Sequence, residues 1–310
     1  MNEPLLAEEG GLPVELAADT AINVKCGALR AIAETFSKNC ESVARLLALP
    51  LTLLTVGETG KHRLLFLTEA LILDERIQRG DRSKEVLADV EKRAEERRIS
   101  VASSDSNFDA VKVANELLMQ LSGIDALRRP LQTLLYSSTV YAWSALECAL
   151  KDAWVTAVNL RPLPLGHRSI VGMPSESPFS GINAKQISVG LLAKHGFDLR
   201  EKIGSMIAPK YDFTGINGIR AAYSAVFAEQ PSIQEALSSP RLCEFEAVRH
   251  VIAHRAALID EEFLLRLPGR GQLDEPLWLN EKQVNALVSA SIVTTTSIIR
   301  CLDDVLGEAS

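Results

Sequence analysis

Apolar residues recur at three- and four-residue steps along most of this chain, a period that lets a helix bury one face and leaves a strand without one. From Pro13 to Leu49 the series Ala28, Ile32, Phe36, Val43 and Leu47 follows it. The same period returns in Phe108–Leu127, in the strongly apolar Leu131–Asn159, and in shorter stretches near 182–195, 199–208, 214–228 and 232–238. The spacing therefore predicts an all-α protein, with a helical bundle at the C-terminal side and an additional N-terminal helical region.

Breaks in the period set the expected boundaries. Pro50 should end or kink the first helix. Gly57-Glu58-Thr59-Gly60 reads as a turn, and Arg129-Pro130 as the end of a helix. The dense charges from Glu85 to Arg98 predict a solvated helical arm. Ser100–Asn107 is polar and aperiodic, so the division is expected there: a helical region at 1–106 and a helical domain at 107–310. Arg161–Ser180 carries four prolines and should be irregular. His195 before Gly196 reads as a helix C-terminus. Two short strands are expected around Pro268-Gly269-Arg270-Gly271, at Phe263–Leu267 and Pro276–Leu279. Asn280 and Gln283 form a capping box opening a last helix over 281–307.

With 33 Lys and Arg against 40 Asp and Glu, the net charge of −7 excludes a protein that coats nucleic acid by bulk positive charge. The five cysteines contain no C-x-x-C pair, which argues against a zinc ribbon and a disulfide framework. The opening residues Met1-Asn2-Glu3 are acidic where a secretory signal is basic. The most apolar run, Leu46–Val56, is too short for a membrane span, which needs about 20 residues. These features lead to the expectation of a cytoplasmic protein without a membrane partner.

Several motif-like stretches lack the residues their chemistry requires. Gly57–Lys61 resembles a phosphate loop, yet Thr55 stands where its first glycine belongs and His62 where a hydroxyl belongs. His250 and His254 have zincin spacing, but Val251 occupies the position of the catalytic Glu. Neither a nucleophile elbow nor a dinucleotide fingerprint is present. No metal or cofactor is expected.

One constellation remains, within residues 241–263. Phe245, Val248, Ile252, Ala256, Ile259 and Phe263 predict one helix with a continuous core stripe. At about 100° per residue, His250 and His254 point away from that stripe and Arg249 lies on its flank. Ala253 and Ala257 form a small-residue strip between them, which would admit another element closely. The Arg-to-His spacing alone selects nothing, because Arg161 and His167 show a similar one.

The surrounding residues carry the distinction. Arg249-His250-Val251-Ile252-Ala253-His254-Arg255, followed by Ala256–Asp260, resembles the motif of HEPN domains: an arginine, a polar residue (commonly Asn), then a histidine. Upstream, Tyr141–Asp152 is similar to an early HEPN helix whose acidic or polar residue faces the site, a place Glu147 would hold. The likeness covers roughly residues 130–305, and His250 departs from the usual Asn.

The resemblance implies an all-α fold and a metal-independent endoribonuclease acting as a homodimer through the motif helix. RNA would be the substrate, with a regulatory or antitoxin protein as a further partner and a toxin, phage-defence or stress setting. Histidine can take or give a proton near neutral pH, and arginine is always charged and can bind two phosphate oxygens. His254 would accordingly transfer protons and Arg249 bind phosphate. His250 would position or supply a second proton step, and Glu147 would hold Arg249 or orient an imidazole. The alternatives are a catalytically inactive HEPN-like module that binds a nucleotide or RNA, or serves assembly, and a helical protein of other purpose in which 249–255 is a polar helix face paired with Glu244, Glu246 or Asp260.

Overall fold

A computed structural model describes residues 12–105, 109–162, 165, 182–183, 186–187, 189–194 and 196–307. His167, His195 and most of the proline-rich 161–180 stretch, for which expectations were set above, lie outside the described residues. The described chain is all-α, with one two-residue strand pair, β1 (Ile182–Asn183) and β2 (Gln186–Ile187), running antiparallel. The first six helices are α1 (Val14–Asn23), α2 (Gly27–Leu73), α3 (Glu75–Gln78), α4 (Lys84–Ser104), α5 (Ala110–Ser122) and α6 (Asp125–Leu160). After β2 come α7 (Val189–Lys194), α8 (Ile203–Ile207), α9 (Ile216–Phe227), α10 (Pro231–Leu237), α11 (Pro240–His254), α12 (Glu261–Arg266) and α13 (Glu281–Gly307).

Two compact units are present, and their limits differ from the expected division at 106/107. Of the described residues, one unit takes 45–133; the other combines 12–44 with those from 134 to 307. Ser100–Ser104, expected in a linker, belong to α4, and residues 106–107 lie outside the described residues. The units are joined inside helices instead, since α2 and α6 each give one part to either unit.

The N-terminal residues join the second unit for a physical reason. Ala17 and Ala21 on α1, and Leu29, Ala33, Phe36, Cys40 and Val43 on α2, recur at helical steps and are all buried. α1 packs on α13. The carboxylate of Asp303, on α13, accepts from the amides of Lys25 (2.9 Å) and Cys26 (2.7 Å), just before α2. These donors would otherwise be orphaned at a helix start.

At three places where a helix end or turn is expected, the helix continues. α2 runs through Pro50, and α6 through Pro130. An interior proline loses one ladder hydrogen bond and crowds the carbonyl four residues back, at a cost of about 3 kcal/mol, which helices this long and packed elsewhere tolerate. Gly57 and Gly60 are helical, and neither takes a positive φ. Because α2 is unbroken, it and α13 are long and apolar enough to cross a membrane by length and composition. The apolar window of α13 is 56% buried and that of α2 only 17%.

In the unit 45–133, α4 is the expected charged arm. Only Val86, Val90 and Ala94 of it are buried, and Ser83 caps its start. In the other unit, α6 is central: Trp143 and Trp154 are fully buried. Trp154 Nε1 donates to the Ala222 carbonyl (2.9 Å), and Tyr223 donates to the Leu150 carbonyl (2.7 Å), which fixes α9 against α6. Gly204 on α8 lies so close to α6 that a Cβ would meet the Val155 carbonyl, and its amide donates to Asn159 (2.7 Å). α13 packs on α10 and α11. The capping box forms as expected, with Gln283 N donating to Asn280 (2.8 Å) and Asn280 N to Gln283 (2.9 Å).

Candidate functional site

Trp143 and Glu147 stand one turn apart on α6, so their side chains share a face. Phe245 of α11 meets the Trp143 ring edge-on at 5.2 Å, which locks α11 against α6. One turn beyond Phe245 comes Arg249, and the same helical period delivers it to the same place. Its Cζ lies 5.2 Å from the Trp143 ring centroid. Its Nη2 donates to Glu147 Oε1 at 2.5 Å and to the Thr214 carbonyl at 2.6 Å. Trp143 Nε1 donates to that same carboxylate oxygen.

Burial pushes the Glu147 carboxyl above its ordinary range, while the Trp143 hydrogen bond and the Arg249 charge pull the other way. Asp212 is held below its range, chiefly by the hydroxyl and amide of Thr214. The loop bearing Asp212 and Thr214 is tied to α11 by Glu246, whose Oε1 accepts from Ile216 N at the start of α9 (2.8 Å). Its Oε2 meets Arg266 at 3.1 Å. Gly215 leaves the space this requires, since a Cβ there would stand 2.9 Å from Glu246 Oε1.

The histidines complete the cluster. His250 is half-buried and His254 exposed at the last position of α11, with ring centroids 4.8 Å apart and planes tilted by 47°. Arg255 pairs with Asp260 at 3.1 Å. Asp260 also caps α12 through the Phe263 amide, and that bond, then Arg255 and His250, hold its carboxyl below the usual range.

All four side chains singled out by sequence are thus placed: Arg249 and Glu147 in one ion pair, His250 and His254 in one ring contact. The helix that carries the motif is shorter than expected. It stops at His254, and Ala256 and Ala257 follow at φ of +52° and +62°. Ile259 and Phe263 are buried, but beyond the helix end, and the buried centre of α11 is Val251 rather than Ile252. Ala253 is exposed and Ala257 buried, so the two do not form a strip on one helix. The segment expected as a strand near Phe263 is α12, and the pairing that does form is an isolated bridge between Leu258 and Pro276.

Sequence reasoning missed Trp143, Asp212 and Thr214 as site residues. Asp212-Phe213-Thr214 ahead of a helix is a recognisable turn signal. What it touches is not, because Thr214 and Arg249 are 35 residues apart. A cavity of about 260 Å³ lies beside α11, lined by Val248, Ile259, Phe263, Leu277 and Trp278, and none of the motif's polar side chains borders it. Among the described residues, no three His, Cys, Asp or Glu side chains are grouped to hold a metal.

No family model matches the chain, and neither a curated protein nor a solved structure matches it.

Proposed function

We propose that the protein is a metal-independent endoribonuclease of HEPN type, acting in the cytoplasm on RNA. The observation that supports this reading is the Arg249 guanidinium, gripped by Glu147 and stacked on Trp143, with two imidazoles on the next turn of the same helix. Among the described residues its Nη1 makes no hydrogen bond, leaving a donor for a phosphate oxygen.

In this reaction the ribose 2′-oxygen attacks the adjacent phosphorus as the bond to the 5′-oxygen breaks. One imidazole takes the 2′-hydroxyl proton, another delivers a proton to the leaving oxygen, and a cation stabilises the charge on phosphorus. The products are a 2′,3′-cyclic phosphate and a 5′-hydroxyl. In-line attack puts the two proton-transfer groups on opposite sides of phosphorus. Rings 4.8 Å apart are in van der Waals contact, with no room for a phosphate between them. His254 therefore serves one side, His250 positions it, and the opposing imidazole comes from a second copy.

A second reading, an inactive RNA-binding or assembly module, is favoured by the commitment of Arg249 Nη2 to Glu147 and Thr214. Labelled RNA in EDTA separates the two. An enzyme yields cyclic-phosphate ends, lost by about 100-fold or more in His254→Ala with the fold retained. A binding module gives RNA affinity that falls in Arg249→Lys and no product from the wild type.

A further inference from the structure

Residues four apart on a helix face the same way, so His250 and His254 project side by side from the last turn of α11. Their ring centroids are 4.8 Å apart. With Zn–N bonds of about 2.05 Å at a tetrahedral angle, two imidazoles on one ion bring their centroids to about 5 Å. The pair therefore already stands at chelating separation, and closing on an ion asks for no movement of the helix.

Both rings are available. His254 is exposed and His250 half-buried, so water and small ions reach them. Among the described residues neither imidazole makes a hydrogen bond or an ion pair; the contact they do make is with each other. The neighbouring cations are engaged, Arg249 with Glu147 and Arg255 with Asp260, and those pairings offset the charge that would repel a metal. Asp260 also lies close enough to His250 for their charges to interact, which places a carboxylate beside the site.

Ligand type selects the ion. Imidazole suits Zn²⁺, Cu²⁺ and Ni²⁺, whereas Mg²⁺ and Ca²⁺ take oxygen ligands. A structural zinc is closed by four protein ligands. Among the described residues no third His, Cys, Asp or Glu joins this pair, so water fills the other positions and the ion exchanges without the fold depending on it.

We infer that His250 and His254 form a reversible chelating site for one late first-row divalent cation, with Zn²⁺ as the probe. The site itself does not depend on the RNA chemistry. Its consequence rests on the proposed function: an ion held there takes the nitrogens that would carry protons, so zinc would inhibit cleavage rather than support it.

Calorimetric titration of the full-length protein with ZnCl₂ should show one ion bound per chain at sub-millimolar concentration, and MgCl₂ should show none. His250→Ala and His254→Ala should each weaken Zn²⁺ binding by about 100-fold at unchanged helix content, because a chelate loses its second arm with either ring. Cys148→Ser, which removes an exposed thiol, should leave the binding unchanged. A wild type that binds no Zn²⁺, undiminished affinity in either histidine variant, or loss of binding in Cys148→Ser would each overturn the inference. RNA takes no part in this titration, so its outcome is separate from that of the nuclease assay. Where the wild type cleaves RNA, saturating Zn²⁺ should suppress the product and EDTA should restore it; cleavage unchanged by Zn²⁺ would overturn the inhibitory role.

Discussion

Glu147 and Arg249 stand 102 residues apart in sequence and form a 2.5 Å ion pair between α6 and α11. Each side chain is less than one-fifth exposed, and the Trp143 ring closes the pair from beneath. The arrangement holds a guanidinium rigidly at the surface of the second unit, whether it then meets a phosphate or only joins two helices.

Removing the cation leaves a partly buried carboxylate alone. Arg249→Ala should destabilise the fold by about 2 kcal/mol at neutral pH, below the 3–5 kcal/mol of a fully buried broken pair. The Glu147 carboxyl is already raised by burial, so its stabilising effect is present at low pH and is lost as pH rises through its folded value. The deficit of Arg249→Ala should therefore be smaller at pH 5 than at pH 8 in urea titrations. Adding Glu147→Gln should abolish that pH dependence.

Two successive alanines in the left-handed region end the motif helix. Such a conformation costs an L-residue about 1–2 kcal/mol, and glycine avoids it at an entropic cost of about 0.5–1 kcal/mol. Ala256 is exposed, so its methyl contributes little packing. Ala256→Gly should stabilise the second unit by about 0.5–1 kcal/mol in the same titrations. A loss of stability would show that the turn is not strained.

Asp74 caps α3, accepting from the amides of Arg76 (2.9 Å) and Ile77 (3.2 Å), and pairs with Arg76 and Arg93. The Arg76 guanidinium first, and then Arg93, hold its carboxyl far below the usual carboxylate range. A depressed acid stabilises the fold above its unfolded value, near pH 4, and that contribution disappears as pH falls. Asp74→Asn should weaken the unit 45–133 at pH 7 and flatten its loss of helix on acidification, followed by circular dichroism.

Burial pushes the Cys40 thiol up to about 12; the Cys148 thiol is also raised, by partial burial and then Asp152 and Glu147, but its residue is exposed. Iodoacetamide reacts with thiolates, so native protein at pH 8 should label at Cys148 and not at Cys40. Peptide mass mapping should find Cys40 labelled only after denaturation. Labelling of native Cys40 would contradict the packing of α2 against the second unit's core.

Legibility followed the range of the interactions involved. The 3.6-residue period reports which face of a helix is apolar, and it revealed the helices and the Asn280–Gln283 cap directly. Pro50, Gly57, Gly60 and Pro130 misled because local preferences of a few kcal/mol are outweighed when a long helix gains burial along its whole length. The motif histidines could be set on one face by arithmetic. The end of α11 could not, since it depends on the Ala257 carbonyl accepting from Leu277 and the Ile259 amide reaching Glu275.

Periodicity and residue type alone determined an all-α protein and the pairing of His250 with His254 one turn apart. Only the folded chain decided that residues before 45 pack with those after 133, and that Glu147, Trp143 and Thr214 converge on Arg249. Helical period is a local property, set within a few residues. Which helices meet is set by burial and hydrogen bonding between segments a hundred residues or more apart, and no local pattern encodes that distance.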